Sequence, residues 1–129
     1  MSKRKPTTVR VHLTERALRD IAQIEQYSIE QFGKATAKRY LSDLEAAIHR
    51  LAEHPGLLTQ TTDFHPSLHF YRSGRHVLVC DRQADGIVIL TLLHATMDIP
   101  ERLSELEPTL RAETELLNRK LQQAKKSSD

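Results

Sequence analysis

The hydrophobic period changes three times along this chain. Val9-Arg10-Val11-His12-Leu13 alternates apolar and polar side chains, the period of a half-buried strand, and its shortness predicts a sheet edge. Thr14 then suits an N-cap with Glu15 in the first turn, and Leu18, Ile21, Ile24, Ser28 and Phe32 recur at spacings of three and four. That spacing predicts an amphipathic helix stopping at Gly33, where a glycine adopts the helix-ending left-handed conformation cheaply. The same period restarts with Ala37, Tyr40, Leu41, Leu44, Ala47, Ile48 and Leu51 and ends at His54-Pro55-Gly56. Two helices of about 18 residues joined by so short a turn must run antiparallel. Tyr27 and Tyr40, one on each helix, are expected to pack between them.

From Leu57 to Pro66 no period survives, which predicts a surface loop. Leu68 to Tyr71, Arg75 to Arg82 and Ile87 to His94 then read as three strands, with Ser73-Gly74 and Ala84-Asp85-Gly86 as the turns of two hairpins. The order strand, helix, helix, three strands is an α+β pattern: an N-terminal edge strand and an antiparallel helical hairpin packed on a mainly antiparallel sheet of about four strands. The strands are apolar on both faces. Val77 and Val79 oppose Leu78 and Cys80, while Ile87, Ile89, Thr91 and Leu93 oppose Val88, Leu90, Leu92 and His94. Strands of this kind are covered on both sides, and one helical hairpin covers only one. At about 25 cal/mol per Å², three or four aliphatic side chains left in water would forfeit several kcal/mol. The second face therefore needs a cover, either the C-terminal segment or another protein, for which Val88, Leu90 and Leu92 are the expected contacts.

Pro108 to about Lys125 reads as a helix with acidic residues early and lysines late, a distribution that suits the helix macrodipole. Leu106, Leu110, Leu117 and Leu121 fall on one stripe that would fold back on the sheet, pair with a second copy as a homodimer, or seat a partner, the alternative being a highly charged solvated helix past the end of the domain. The expected organisation is a basic tail 1–8, a domain 9–103 and a charged helical extension 104–129. With 129 residues, 19 Lys and Arg against 17 Asp and Glu, and a formal charge of +2, the chain suits one domain and lacks the dense positive stripe of a dedicated nucleic-acid binder. Cys80 is the only cysteine, so no internal disulfide forms, and its place in an apolar run makes it a core residue. The basic N-terminus has no apolar stretch behind it and no run is long enough to span a bilayer, so the expectation is a cytoplasmic protein with no membrane partner.

Taken in order, Ala17 with Asp20-Ile21 and Tyr27, Ala37 and Tyr40 with Leu44, Leu51 with Pro55, Gly74-Arg75-His76, and His94 with Met97-Asp98-Ile99-Pro100 resemble a known family. It is the RelE/ParE superfamily of type II toxin-antitoxin toxins, more closely its ParE-like branch, and the resemblance covers about residues 9 to 103. It implies a growth-inhibiting, plasmid-stabilisation type of toxin held inactive by a cognate antitoxin that wraps it. ParE-like members are associated with poisoning DNA gyrase, and RelE-like members with cutting messenger RNA on the ribosome. A third possibility under the same resemblance is a non-toxic relative that retains only partner binding.

A metal-independent ribonuclease of the RelE kind needs a base for the 2′-hydroxyl, cations for the crowded phosphate and an acid for the leaving oxygen. Arg72, Arg75, His76 and His94 are the candidates here. No tyrosine follows Tyr71 and no lysine stands between Lys38 and Lys120, so the set is thin and the expectation is a binding toxin rather than an enzyme. Arg72 and Arg75 flank a hairpin turn and offer paired donors to a phosphate or an acidic partner. His94, with Asp98 four residues on, is expected to form an imidazole–carboxylate pair that fixes a turn. Thr96 stands where many members of the family carry an arginine, so an anion-binding role does not carry over to that position. His65 and His69 have metal-ligand spacing only on a helix, whereas this segment reads as loop entering strand, and neither metal nor cofactor is expected.

Overall fold

A computed structural model describes residues 8–61, 65 and 67–127. In chain order the elements are β1 (Arg10–Leu13), α1 (Glu15–Phe32), α2 (Lys34–Glu53), a 3₁₀ turn (Pro55–Leu57), β2 (His69–Ser73), β3 (His76–Gln83), β4 (Gly86–His94) and α3 (Ile99–Ser127). The sheet order is β1-β4-β3-β2, with β1 parallel to β4 and the other pairs antiparallel. This is the α+β arrangement expected from the periodicity, with β1 at an edge.

Local chemistry explains how α1 is seated. The Thr14 hydroxyl accepts from Ala17 N at 3.0 Å, capping the helix, and donates to Leu90 O at 2.7 Å. Asp20 accepts from Leu92 N at 3.1 Å and from the Thr91 hydroxyl. Pairing with β1 ends at Leu13 opposite Ile89, so beyond that rung the side chains of the cap Thr14 and of Asp20 satisfy the open edge of β4 in place of a strand. At the other end of β1, Arg10 pairs with Gly86, where an added Cβ would stand 2.4 Å from Arg10 O. Only glycine lets the two backbones approach so closely.

Two apolar cores sandwich the sheet. On one side Leu44 and Leu51 of α2 and Ala17 of α1 pack on Leu78, Ile87, Ile89 and Leu92. On the other, Ile99, Leu103, Leu106 and Leu110 of α3 cover Phe70, Val77, Val79, Val88, Leu90 and Leu93. The face expected to await another protein is thus covered by the chain itself. Val88 and Leu90, 1% and 3% exposed, lie beneath α3 and are not a contact surface in this form. Leu92 is on the opposite face. Val79 pairs with Thr91 but Cys80 pairs with Ile89, so Leu90 is an extra residue in β4. That bulge reverses the alternation, and Leu93 rather than Leu92 shares a face with Val88 and Leu90.

α3 begins at Ile99 rather than Pro108, which lies inside it. Asp98 accepts from Glu101 N at 3.3 Å at the start of the helix. One helix therefore crosses the expected border at 103/104, and Leu106 and Leu110 of the homodimer stripe are spent on the sheet. Glu113 accepts from Arg16 N at 3.1 Å and lies 3.8 Å from the Arg19 guanidinium, and Lys120 pairs with Glu15, tying the outer half of α3 to α1.

The inward stripe of α1 differs from the expected one. Ala17 and Ser28 are buried, whereas Leu18, Tyr27 and Phe32 are 56%, 59% and 51% exposed, so Tyr27 does not pack between the helices. In the segment expected to be a loop, Leu58 is buried and Thr59 exchanges backbone hydrogen bonds with Phe70, adding a rung beside β2. Residues 62–64 and 66 of that segment lie outside the described residues. No helix among the described residues is long and apolar enough to cross a membrane.

Candidate functional site

Where β4 ends and the β2–β3 hairpin turns, a cleft of about 550 Å³ opens between α1, the start of α2 and the first turns of α3. The hairpin pairs Ser73 with His76 around Gly74-Arg75. Gly74 has φ +60°, and a Cβ there would meet Tyr40 Cε1 at 2.8 Å, so the tyrosine ring lies directly on the turn. The Tyr40 hydroxyl accepts from Arg75 N at 3.0 Å, lies 2.6 Å from His76 Nδ1 and reaches Ser73 O at 3.3 Å. Tyr40 is thus held by the hairpin rather than between the helices, its ring edge-on to His76 at 5.6 Å.

His76 meets His94 edge to face, ring centroids 5.3 Å apart. His94 Nδ1 accepts from Thr96 N at 3.2 Å and lies 2.7 Å from Thr96 Oγ1. An accepting Nδ1 puts the proton of the neutral ring on Nε2. The expected His94–Asp98 pair does not form. The turn after β4 closes on Thr96, with Met97 N donating to His94 O at 3.0 Å, while Asp98 caps α3.

Charge in the cleft is mainly positive. Arg75 sits 5.5 Å above the Phe32 ring. Arg16 enters from α1, its Nε donating to Thr91 Oγ1 at 3.2 Å, and Arg102 enters from α3, 3.3 Å from Glu105. The carboxylate lining the cleft, Asp20, is committed to Thr91 and Leu92 N. Burial, then the neighbouring His94 and Arg75, push His76 down from 6.5 to about 4, against a pull upward from Asp20. His76 is therefore a neutral imidazole at physiological pH. The rim adds exposed apolar surface in Tyr27, Phe32 and Met97. Cations inside an apolar rim suit an acidic, partly apolar protein segment better than a bare phosphate chain.

Of the residues singled out in the sequence, Arg75, His76 and His94 come together in this cleft, and Leu92 lines it. Arg72 does not join them. Its Nε donates to Gly74 O at 3.0 Å, and it borders a smaller hollow with Asp43 and Arg50. Sequence reasoning missed Tyr40, Arg16, Asp20 and Arg102 as members of the site. Asp20 carried one signal, a carboxylate one residue before Ile21 on the inward side of α1. Cys80 stands apart, fully buried in β3, its thiol pushed up to about 12 chiefly by burial, which makes it inert. Among the described residues no group of three or more His, Cys, Asp or Glu is placed to hold a metal ion.

Comparison with known proteins agrees with this geometry. The family described as ParE toxin of type II toxin-antitoxin system, parDE, matches residues 11–99. Toxin ParE of Escherichia coli is 31% identical over 94 residues, 72% of this chain and 91% of that protein. Toxin ParE1 of Caulobacter vibrioides is 33% identical over 86 residues, 67% of this chain and 88% of that one. Among solved structures, the chromosomal ParDE toxin-antitoxin system of P. aeruginosa superposes with a TM-score of 0.60 at 13% identity, covering 68% of this chain and 97% of that chain. The RelBE2 toxin-antitoxin complex of Mycobacterium tuberculosis gives 0.51 at 18% identity, covering 71% and 97%. At these identities the solved structures speak for the fold.

Proposed function

The chain belongs to the ParE toxin family of type II toxin-antitoxin systems, and from that premise we propose that it arrests growth in the cytoplasm by docking on a protein target, DNA gyrase by family analogy, and is neutralised by a cognate antitoxin. The observation that carries this reading is the cleft, which combines arginines with an exposed apolar rim around Phe32 and Met97. Such a surface grips protein, since guanidinium groups and aromatic rings are the side chains that dominate protein–protein contacts.

The test compares the chain expressed alone with the chain expressed beside its neighbouring reading frame. Growth arrest in the first case, relief and a co-purifying complex in the second, and inhibition of supercoiling by purified gyrase are the expected results. Arg75→Ala combined with Phe32→Ala should weaken growth inhibition about tenfold or more, the loss of one good contact region, while leaving the melting temperature nearly unchanged. Arrest with supercoiling unaffected removes gyrase as the target. Harmless overexpression with the complex still forming favours a non-toxic relative.

One observation favours a second reading, RNA cleavage on the ribosome. The tyrosine missing from the end of the sequence is supplied from α2, with Tyr40 2.6 Å from His76 and beside Arg75. Mapping of messenger RNA ends after induction decides between the two, and intact transcripts exclude cleavage.

A further inference from the structure

We infer that the cleft is a socket for an acidic segment of the protein partner, and that seating a carboxylate in it brings a proton onto His76. The inference rests on the reading of this surface as the protein-docking site and specifies the chemistry of what docks there.

Charge complementarity points to the acid. Arg16 from α1, Arg75 from the hairpin and Arg102 from α3 converge on one opening, and Asp20 is consumed within the fold. Arg75 has its ring contact with Phe32 and, among the described residues, no ion pair, so its guanidinium is available to an incoming carboxylate.

The hydrogen bonds around His76 are built for either protonation state. With a neutral ring, Arg75 N donates to the Tyr40 oxygen, and the Tyr40 hydroxyl donates to His76 Nδ1 across 2.6 Å. With a charged ring, Nδ1 becomes the donor to the Tyr40 oxygen, and the hydroxyl turns to Ser73 O at 3.3 Å. No group loses its partner when the proton arrives. Burial is the first cost of charging His76, and the surrounding charges are the second: His94 beside it on β4 and Arg75 on the hairpin disfavour a cation and Asp20 favours it, with Arg16 from α1 and Arg102 from α3 lining the same cleft. A carboxylate placed among these groups reverses that balance. The low value of about 4 for the empty cleft agrees with this and leaves room for a rise on binding.

The experiment measures fluorescence anisotropy of rhodamine-labelled poly-L-aspartate and, separately, of a labelled RNA oligonucleotide against the full chain and His76→Gln. If the bound state holds His76 near 6, wild type should bind poly-L-aspartate about fourfold tighter at about pH 5.5 than at about pH 7.5. Whatever affinity His76→Gln keeps at the higher pH, its ratio between the two pH values should lack that fourfold gain. Equal gains in both proteins, no binding of poly-L-aspartate, or binding of RNA in its place would each overturn the inference. Growth arrest and antitoxin capture are scored separately, so the toxin reading survives any of these results.

Discussion

A proton on His76 works against the fold. Its ordinary value is 6.5 and its folded value about 4, so between those limits the unfolded chain binds the proton first. Stability contributed by the neutral ring is fully present above about pH 6.5 and is lost as pH falls towards 4. The melting temperature of wild type should therefore drop more between neutral pH and pH 5 than that of His76→Gln. Parallel curves for the two proteins would show that His76 is not held neutral by its neighbours. At this scale, local rules were legible and remote partners were not. Thr14 was recognisable as an N-cap because its partner is three residues away, but its second bond, to Leu90, spans 76 residues. Tyr40 had the spacing of an inward helix position, and nothing in that spacing connects it to a glycine 34 residues later. Its hydroxyl is held there by Arg75 N and His76, and the absence of a Cβ at Gly74 leaves room for the ring.

Each element is held by the face it buries, and α3 shows this most directly. Leu103 is 1% exposed against the sheet, so Leu103→Ala should cost about 2–5 kcal/mol in chemical denaturation, the range for buried leucines. Leu18→Ala, on a side chain 56% exposed, should stay within about 0.5 kcal/mol. A small loss at Leu103 would mean that α3 lies loosely on the sheet. The need for such a cover was legible, because strands apolar on both faces demand two, but the leucine spacing left open whether the C-terminal segment or another protein supplied it. Its beginning was obscured by Pro108, since proline favours the first turn of a helix, whereas Asp98 starts this one a full ten residues earlier. The bulge in β4 was invisible for another reason. In a run as uniformly aliphatic as Ile87 to Leu93, inserting one residue changes which side chains face which layer without changing the composition of either.

At the scale of the whole molecule, three layers stand in the order helical hairpin, sheet, α3, and the family match ends at residue 99, where α3 begins. The sheet is sealed on both sides while its end, where β3 and β4 meet α1, α2 and α3, stays open as the cleft. Sealing also isolates Cys80, which touches no solvent. As the sole thiol, it can be alkylated only in molecules whose layers have come apart, so the rate of covalent labelling by an excess of reagent counts openings under native conditions. A Leu103→Ala chain destabilised by about 2 kcal/mol should then label about 30-fold faster than wild type when reclosing outpaces alkylation. Mass spectrometry of the labelled fraction over time would give the opening free energy without any denaturant.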